Sequence, residues 1–267
     1  MDTKKPKEIK NMPDWKYHGN DTHLSSSQLK YALQDMNKFN AMVNGDLGRY
    51  DTPALAFGRA AHTAVLEYEK FDSLYAIFDD NMDMRLKASK EIKKEFDIAS
   101  KAKKLSVLKK SDYLRICQMR LNIDKYSEAR DLLNGGEAEV SYFYTHKNFG
   151  LDLKVRPDYV NHELGYIVDF KTSKDASMGS FKRDFTWSYN YDLSAAMYID
   201  GLYHYTGKIY DYYFLVAEKE DPHSVAVYKL GEESYDLGLN KYNKSLEKII
   251  QAKESNVYQL QNRIQEI

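Results

Sequence analysis

Cysteine is nearly absent from the chain, with Cys117 as its single thiol. One thiol excludes disulfides within the chain, and it excludes zinc and iron–sulfur sites built from several thiolates of the same chain. Chains without disulfides are typical of reducing compartments, so we expect an intracellular, cytoplasmic location.

Long apolar runs are also absent. No stretch reaches the roughly 18 residues that a membrane helix needs, so we expect no membrane association. The first residues, MDTKKPKEIKNMPD, carry lysines without an apolar segment and do not look like a secretory signal. The formal net charge is only -1, so binding of nucleic acid would have to depend on local basic surfaces.

The sequence pattern predicts a loose arm over residues 1–22 and a single α/β domain over residues 23–267. One helix is predicted from the serines at 25–27 to Gly45, and another begins at Thr52 and Pro53. Residues 87–110 carry nine lysines against three acids, and they predict a helix followed by a loop.

A period of two begins at residue 137 and predicts three consecutive strands over residues 137–146, 149–160 and 164–173. Helices around residues 178–205 and two further strands follow. The chain is then predicted to end in a long amphipathic helix that continues through Val257, Leu260 and Ile264.

The stretch YIVDFKTS, residues 166–173, places two charges inside an apolar strand. Because successive side chains of a strand point to opposite faces, Ile167, Asp169 and Lys171 share one face. Charged groups rarely enter a core unless they are paired or functional. A solvated strand face is the alternative reading, since an Asp-x-Lys triplet is common in strands.

A second carboxylate, Asp158, precedes Asp169 by 11 residues across a turn, and Pro157 before it indicates a bend in the strand. Two antiparallel strands can bring these carboxylates together, where a divalent cation would offset their repulsion. Mg²⁺ suits such oxygen ligands, and Mn²⁺ is expected to substitute. Lys171 would lie about 6.6 Å beyond Asp169 along the strand, where it could orient a water and stabilise charge during phosphodiester hydrolysis.

Pro157–Asp158 followed by Asp169-Phe-Lys171 resembles the PD-(D/E)xK nuclease motif, and the chain is most similar to the RecB-like and exonuclease VIII (RecE-type) phage exonucleases. The resemblance spans roughly residues 24–230. It implies a restriction-endonuclease-like α/β core, with a central mixed β-sheet flanked by helices, N-terminal helices and a long C-terminal helix. It also implies a bacterial host cell as the location.

The resemblance also implies functional roles for further residues. FGRAAHTAVLE resembles the family helix that carries a metal-associated histidine, here His62, and EAEVSYFY resembles its acidic strand start, here Glu139. The backbone carbonyl of Phe170 would add a metal ligand beside Asp158 and Asp169. His62 on an apolar face could instead be a core residue, and Glu137 is a rival to Glu139.

The helix YDLSAAMYIDGLY resembles the family helix that follows the catalytic strand and usually carries a Gln-x-x-x-Tyr pair. Tyr198 matches the tyrosine, but Ser194 stands where the glutamine is expected. Serine is too short to reach the same partner. The interaction made by the glutamine is therefore missing, bridged by water, or supplied by Thr172, Ser173 or another polar neighbour.

DNA contacts are predicted at basic residues near the motif and in the lysine-rich segment, because neutralised phosphates supply most sequence-independent affinity. The candidates are Arg59, Lys93, Lys94, Lys103, Lys104, Lys174, Lys182 and Arg183, together with Tyr198. The lysine-rich segment could equally be a solvated helix face.

The resemblance implies a Mg²⁺-dependent exonuclease that digests duplex DNA from 5′ to 3′ and leaves 3′ single strands for an annealing partner. Processivity would come from partners or from a ring of identical subunits. A structure-specific or single-strand endonuclease is the rival enzyme. A catalytically silent DNA-binding protein is the rival of another class.

Overall fold

The computed structural model describes residues 5–47 and 52–258. Its strands, in chain order, are Lys7–Ile9 (β1), Tyr75–Phe78 (β2), Ser106–Lys109 (β3), Glu137–Ala138 (β4), Ser141–Thr145 (β5), Asp152–Val155 (β6), Tyr159–Asn161 (β7), Tyr166–Ser173 (β8), Asp211–Glu218 (β9) and Val225–Lys229 (β10).

The α-helices are Asp14–His18 (α1), Ser26–Gln34 (α2), Met36–Val43 (α3), Pro53–Leu66 (α4), Phe71–Leu74 (α5), Lys87–Ala102 (α6), Lys110–Lys125 (α7), Ser127–Leu132 (α8), Met178–Arg183 (α9), Tyr191–Thr206 (α10) and Glu232–Ser255 (α11). A 3₁₀ turn covers Tyr68–Lys70 and a π-helical turn covers Asp184–Ser188. No helix of the described residues is long and apolar enough to cross a membrane.

The central sheet has the order β10-β9-β8-β7-β4, in which β8 and β9 are parallel and the other pairs are antiparallel. Helices α2, α10 and α11 pack on one face, and α4, α7 and α8 pack on the other. Ile167 enters the first core, whereas Val168 and Phe170 enter the second, as the alternation along β8 predicts. This architecture confirms the predicted α/β class with a mixed sheet.

The three consecutive strands predicted from residue 137 are in fact five. The first breaks at Glu139, whose φ of 54° lies in the left-handed region that a regular strand cannot continue through. The second breaks at Pro157, which has no amide hydrogen for a ladder. Both breaks let the hairpin leave the central sheet, so that β5 and β6 form a separate sheet with β1.

The N-terminal segment is more ordered than the loose arm expected over residues 1–22. In the described part, β1 pairs with β5, and α1 lies against β6. Lys154 donates to the carbonyls of Tyr17 and Asn20, at 2.8 and 2.6 Å. Arg156 donates to Asp14 Oδ1 at 2.8 Å. These buried cations need acceptors, and the N-terminal segment supplies them.

Three other boundaries differ from the sequence prediction. The first helix is split into α2 and α3 at Asp35, whose carboxylate caps α3 by accepting from Asn37 N at 2.9 Å. The loop expected after α6 contains β3, which pairs with β2. Helix α11 ends at Ser255, before Val257, while Leu260 and Ile264 lie outside the described residues.

Candidate active site

Asp158 and Asp169 meet where β7 begins beside β8. Tyr159 pairs with Val168, and the next step of that antiparallel register sets Asp158 opposite Asp169. Asp158 Oδ2 accepts the backbone N–H of Phe170 at 2.7 Å, which fixes this carboxylate against the neighbouring strand. Strand pairing therefore brings together two carboxylates that lie 11 residues apart.

Lys171 completes this face of β8. Its Nζ lies 2.6 Å from Asp169 Oδ2 and 3.9 Å from Asp158 Oδ2. It also donates to the carbonyl of Phe170 at 3.3 Å, so this carbonyl, expected as a metal ligand, contacts an ammonium here. The Asp-x-Lys triplet is thus a close ion pair and not a solvated strand face: only 20% of the Lys171 side chain and 9% of the Asp169 side chain are exposed.

His62 and Glu139 approach Asp158 from two further elements. His62 projects from α4, with Nδ1 3.5 Å from Asp158 Oδ2 and its ring edge-on to Phe170, 5.1 Å between centroids. Glu139 is held by its own backbone N–H, which donates to the carbonyl of Asp158 at 3.1 Å. The left-handed turn at Glu139 is therefore what places an acidic side chain at this point.

One ligand atom each from His62, Glu139 and Asp158 lies within 4.8 Å of the other two. The two carboxylates suit a hard divalent cation such as Mg²⁺ or Mn²⁺, while the imidazole adds a nitrogen ligand that is more typical of transition metals. Asp169 stands outside this group because its carboxylate is engaged by Lys171. Glu137, the rival to Glu139, forms an ion pair with Lys10 at 2.6 Å on the surface instead.

Burial controls the protonation of this cluster. It raises the pKa of Asp169 to about 6 against the opposing effect of the Lys171 ammonium, and it raises the pKa of Asp158. Burial and the Asp158 charge hold the pKa of Glu139 well above its usual range. Burial, reinforced by Lys171, lowers the pKa of His62 to about 4, so the imidazole is neutral and able to bind a metal at pH 7.

The Lys171 ammonium stays charged. Burial on its own would lower the Lys171 pKa, but the carboxylates of Asp169 and Asp158 outweigh it and hold that pKa above its ordinary value. The cluster thus combines three carboxylates that resist ionisation with one fixed ammonium. A bound divalent cation would favour the ionised carboxylates and so lower these pKa values.

Comparison with known proteins identifies the family of the chain. A family model described as the PDDEXK-like domain of unknown function (DUF3799) matches residues 25–259. The chain belongs to that family. Among solved structures, the PDDEXK-like chain is similar to a "putative exonuclease" from Eubacterium rectale, with a TM-score of 0.65 and 14% identity over 97% of this chain and 96% of the other. That likeness shows a shared fold. No curated protein sequence matches.

Four of the predicted DNA contacts of this PDDEXK-like domain lie on or next to elements that carry the cluster. Arg59 is exposed on α4, one turn before His62. Lys174 is exposed just beyond β8, and Lys182 and Arg183 are exposed in the last turn of α9. These side chains are open to solvent, and their role in DNA binding stays a prediction.

Four further predicted contacts belong to the lysine-rich segment, whose helix α6 packs against β2 and β3. Lys94, Lys103 and Lys104 are exposed. Lys93 is half-buried, pairs with Asp97, and lies 5.0 Å from the Phe78 ring centroid. Lys94 therefore lies on a solvated helix face and Lys103 and Lys104 on the exposed turn after α6, whereas Lys93 is engaged within the helix and by the aromatic ring.

Helix α10 places Tyr198 and Ser194 on the same side as the cluster, where both are half-buried. The Tyr198 hydroxyl interacts with the side chain of Ser26 on α2. Burial holds the pKa of Tyr198 well above its usual range, and the charges of Asp169 and Asp158 raise this pKa further. Ser173 Oγ donates to the Asp175 carbonyl at 2.9 Å, which closes a turn.

Two residues near the cluster were missed by reading the sequence. Lys30 on α2 and Tyr191 at the start of α10 meet with the Lys30 ammonium 5.3 Å from the Tyr191 ring centroid. The Lys171 ammonium lies 5.2 Å from the same ring. Tyr191 could have been found, since it is three residues before Ser194 and seven before Tyr198 on one helix face. Nothing in the sequence singles out Lys30.

Proposed function

We propose that this PDDEXK-like domain is a divalent-metal-dependent deoxyribonuclease that degrades duplex DNA from its ends. One observation carries the proposal: a half-buried lysine pairs with a buried carboxylate directly beside a second carboxylate, within a cluster that also holds an imidazole and a third carboxylate. A purely structural ion pair would not need the two additional acidic groups, whose burial is costly.

In this proposal His62, Asp158 and Glu139 hold a Mg²⁺ ion, with Asp169 and the Phe170 carbonyl as further ligands. The bound cation would lower the pKa of a water molecule and stabilise charge on the phosphate. Lys171 orients the attacking water through its ammonium and stabilises the developing negative charge. Asp169 and Asp158 keep that ammonium protonated and in position. The bond between phosphorus and the water oxygen forms as the bond between phosphorus and the leaving deoxyribose oxygen breaks. The proton lost by the attacking water goes to solvent, and the leaving oxygen takes a proton from solvent.

Attack at DNA ends is supported by the resemblance to exonuclease VIII and by the name of the similar Eubacterium rectale protein. The same resemblance supports 5′-to-3′ polarity, a 3′ overhang for a single-strand annealing protein, and a ring of identical subunits. Such an enzyme would act on DNA in the cytoplasm of a bacterial host cell. A domain at the duplex end needs no base-reading element, so we expect little sequence specificity.

The test is digestion of linear, nicked and covalently closed circular DNA of one sequence with Mg²⁺, with Ca²⁺ or with EDTA. We expect Mg²⁺-dependent loss of the linear form and persistence of the closed circle. Asp169→Asn serves as the matched inactive control. Cleavage of the closed circle would favour the endonuclease alternative, and DNA binding without cleavage under Mg²⁺ or Mn²⁺ would favour the silent binding protein.

A further inference from the structure

Lys30 lies beside the candidate active site but belongs to a different element. It projects from α2, which packs on α10 at the face that carries Tyr191 and Tyr198. Its ammonium and that of Lys171 lie over one ring, Tyr191, at 5.3 and 5.2 Å from the centroid. The site therefore holds two ammoniums, although the Asp-x-Lys motif supplies only Lys171.

The surroundings of Lys30 do not neutralise it. The charges that act on it are those of Asp169 and Asp192, which favour the ammonium, and those of Lys171 and Lys241, which oppose it. Asp169 lies 2.6 Å from Lys171, and Asp192 lies 2.7 Å from Lys241. Among the described residues, no carboxylate is within 4 Å of the Lys30 ammonium. Burial, reinforced by Lys171, lowers the pKa of Lys30 to about 8, as expected for a half-buried cation without its own counter-ion.

The ring between the two ammoniums is held rigidly. Tyr191 stacks on Tyr189 at 5.3 Å and on Phe181 at 6.3 Å between centroids. The start of α10 is fixed by Lys241, which donates to the Thr186 carbonyl and the Asn190 side chain, both at 2.9 Å. A cation on a fixed aromatic face is positioned before any ligand arrives, which lowers the entropy cost of binding an anion there.

We propose that Lys30, positioned by Tyr191, binds a phosphodiester of the DNA strand that enters the site beside Lys171. This inference rests on the proposed function. It assigns a phosphate contact to α2, outside the strand pair and outside every basic residue predicted from the sequence. It also offers a polar reach on the side of α10 where Ser194 is too short. Lys30 is a substrate-binding residue in this assignment and takes no part in proton transfer.

The test compares Lys30→Gln with the wild type and with Lys38→Gln, an exposed lysine on α3. Binding of a fluorescent duplex is measured by anisotropy at several salt concentrations, with Ca²⁺ in place of Mg²⁺. We expect Lys30→Gln to weaken binding by about tenfold or more and to reduce the log–log salt slope by about 0.9. Lys38→Gln should match the wild type, and Lys30→Arg should restore most of the affinity.

If Lys30 binds DNA, we expect Lys30→Gln to keep Mn²⁺ affinity by calorimetry and to raise KM for DNA more than it lowers kcat. A structural role would give a different set of results. A lower Tm together with unchanged salt slope and KM would overturn the assignment. Absence of cleavage by the wild type would contradict the nuclease proposal alone, since the binding comparison would still decide whether Lys30 contacts DNA.

Discussion

Two lysine–aspartate pairs, each with a half-buried lysine and a buried aspartate, lie in neighbouring parts of the molecule and have nearly the same geometry. Lys171 and Asp169 are 2.6 Å apart on β8, and Lys241 and Asp192 are 2.7 Å apart between α11 and α10. Their lysine side chains are similarly exposed, at 20% and 18%. Distance and burial alone therefore cannot separate a reactive pair from a structural one.

The surroundings of the two pairs differ. Lys241 places its three donors on three acceptors, namely Thr186 O, Asn190 Oδ1 and Asp192 Oδ2. Gly238 lets α11 approach this point closely, since a Cβ there would lie 2.2 Å from the Asp192 carbonyl. This pair is closed and satisfied, and its position between helices suits a role in stability.

The Lys171 pair is open by comparison. Its nearest neighbours are a second carboxylate, Asp158, and the imidazole of His62, with Glu139 close by. Three acidic side chains gather there, and the Lys171 ammonium pairs with only two of them. We infer that this surplus of acidic groups, and not the ion pair itself, distinguishes the candidate active site.

The largest expected effect is on catalysis at the open pair. Asp169→Asn and Lys171→Gln should each lower DNA cleavage by about a thousandfold or more, because each removes a group positioned at the reacting phosphate. The two should differ in metal binding. The aspartate change should weaken Mn²⁺ affinity in calorimetry, while the lysine change should spare it. Turnover at the wild-type level in either variant would remove that residue from the mechanism.

The closed pair should respond in stability. Lys241→Met leaves Asp192 buried and uncompensated, so we expect the free energy of unfolding to fall by about 3–5 kcal/mol in urea titrations. The double variant Lys241→Met with Asp192→Leu should recover much of that free energy, because it removes both charges. If the single variant unfolds like the wild type, the pair contributes no structural energy.

His62 tests how far the open cluster extends. If His62 is a metal ligand, His62→Ala should raise the Mg²⁺ concentration needed for half-maximal cleavage and leave the Tm nearly unchanged. If His62 instead packs against Phe170 as a core residue, the same change should lower the free energy of unfolding by about 1–3 kcal/mol and leave the metal requirement unaltered. A Mg²⁺ titration and a melting curve on one preparation distinguish the two roles.

Lys30 should show the cost of an unmatched charge as a function of pH. Burial lowers its pKa to about 8 from an ordinary 10.5, so between these values the unfolded chain holds the proton more tightly than the fold does. Rising pH through that window therefore stabilises the wild type. Lys30→Met should be more stable at pH 7, on the order of 1 kcal/mol after solvent screening, and the advantage should vanish near pH 10.

Lys38→Met provides the matched control for this pH series. Denaturant unfolding at pH 7, 8.5 and 10 measures the difference in unfolding free energy for each variant. An advantage of Lys30→Met that grows with pH has the wrong sign for a lysine with a lowered pKa. It would mean that the Lys30 charge is compensated in the fold.

The smallest effect concerns the lysine-rich segment, which comprises α6 and the turn that follows it. Replacing Lys93, Lys94, Lys103 and Lys104 with glutamine should flatten the salt slope of DNA binding by about 0.9 for each phosphate that is no longer neutralised. Cleavage at saturating DNA should persist. Anisotropy in Ca²⁺ at several salt concentrations measures the slope. An unchanged slope would identify α6 as a solvated face and leave Arg59, Lys174, Lys182 and Arg183 as the remaining candidates.

Local periodicity was enough to predict parts of the fold and of the site. The alternation along β8 separated Ile167 and Asp169 from Val168 and Phe170, and the turn after Asp158 predicted that the two strands would meet. The start of α4 at Thr52 followed from its capping pattern, with Thr52 Oγ1 accepting from Leu55 N at 3.2 Å. These features depend on neighbours within about a dozen residues.

The remaining features depend on contacts between distant parts of the chain. Lys154 and Arg156 looked like a polar strand face, yet they bind carbonyls and a carboxylate more than 130 positions earlier. Lys30 reaches Tyr191 from α2 in the same way. The backbone at Glu139 is left-handed because the chain changes sheet at that residue. The sequence has no glycine at this position that would indicate such a conformation. The periodicity of a sequence does not indicate contacts between residues that lie far apart in the chain.

The comparison of the two pairs is tested most directly by the initial rate of DNA cleavage per folded molecule. Wild type, Lys171→Gln and Lys241→Met are assayed on the same linear duplex with Mg²⁺, and the folded fraction of each is taken from its urea curve. At saturating DNA, where a weaker DNA contact through Tyr191 and Lys30 no longer limits the rate, we expect the rate of Lys171→Gln to fall by about a thousandfold or more and that of Lys241→Met to stay near the wild-type rate. Equal decreases in both variants, or full activity in Lys171→Gln, would contradict the assignment of chemistry to the open pair.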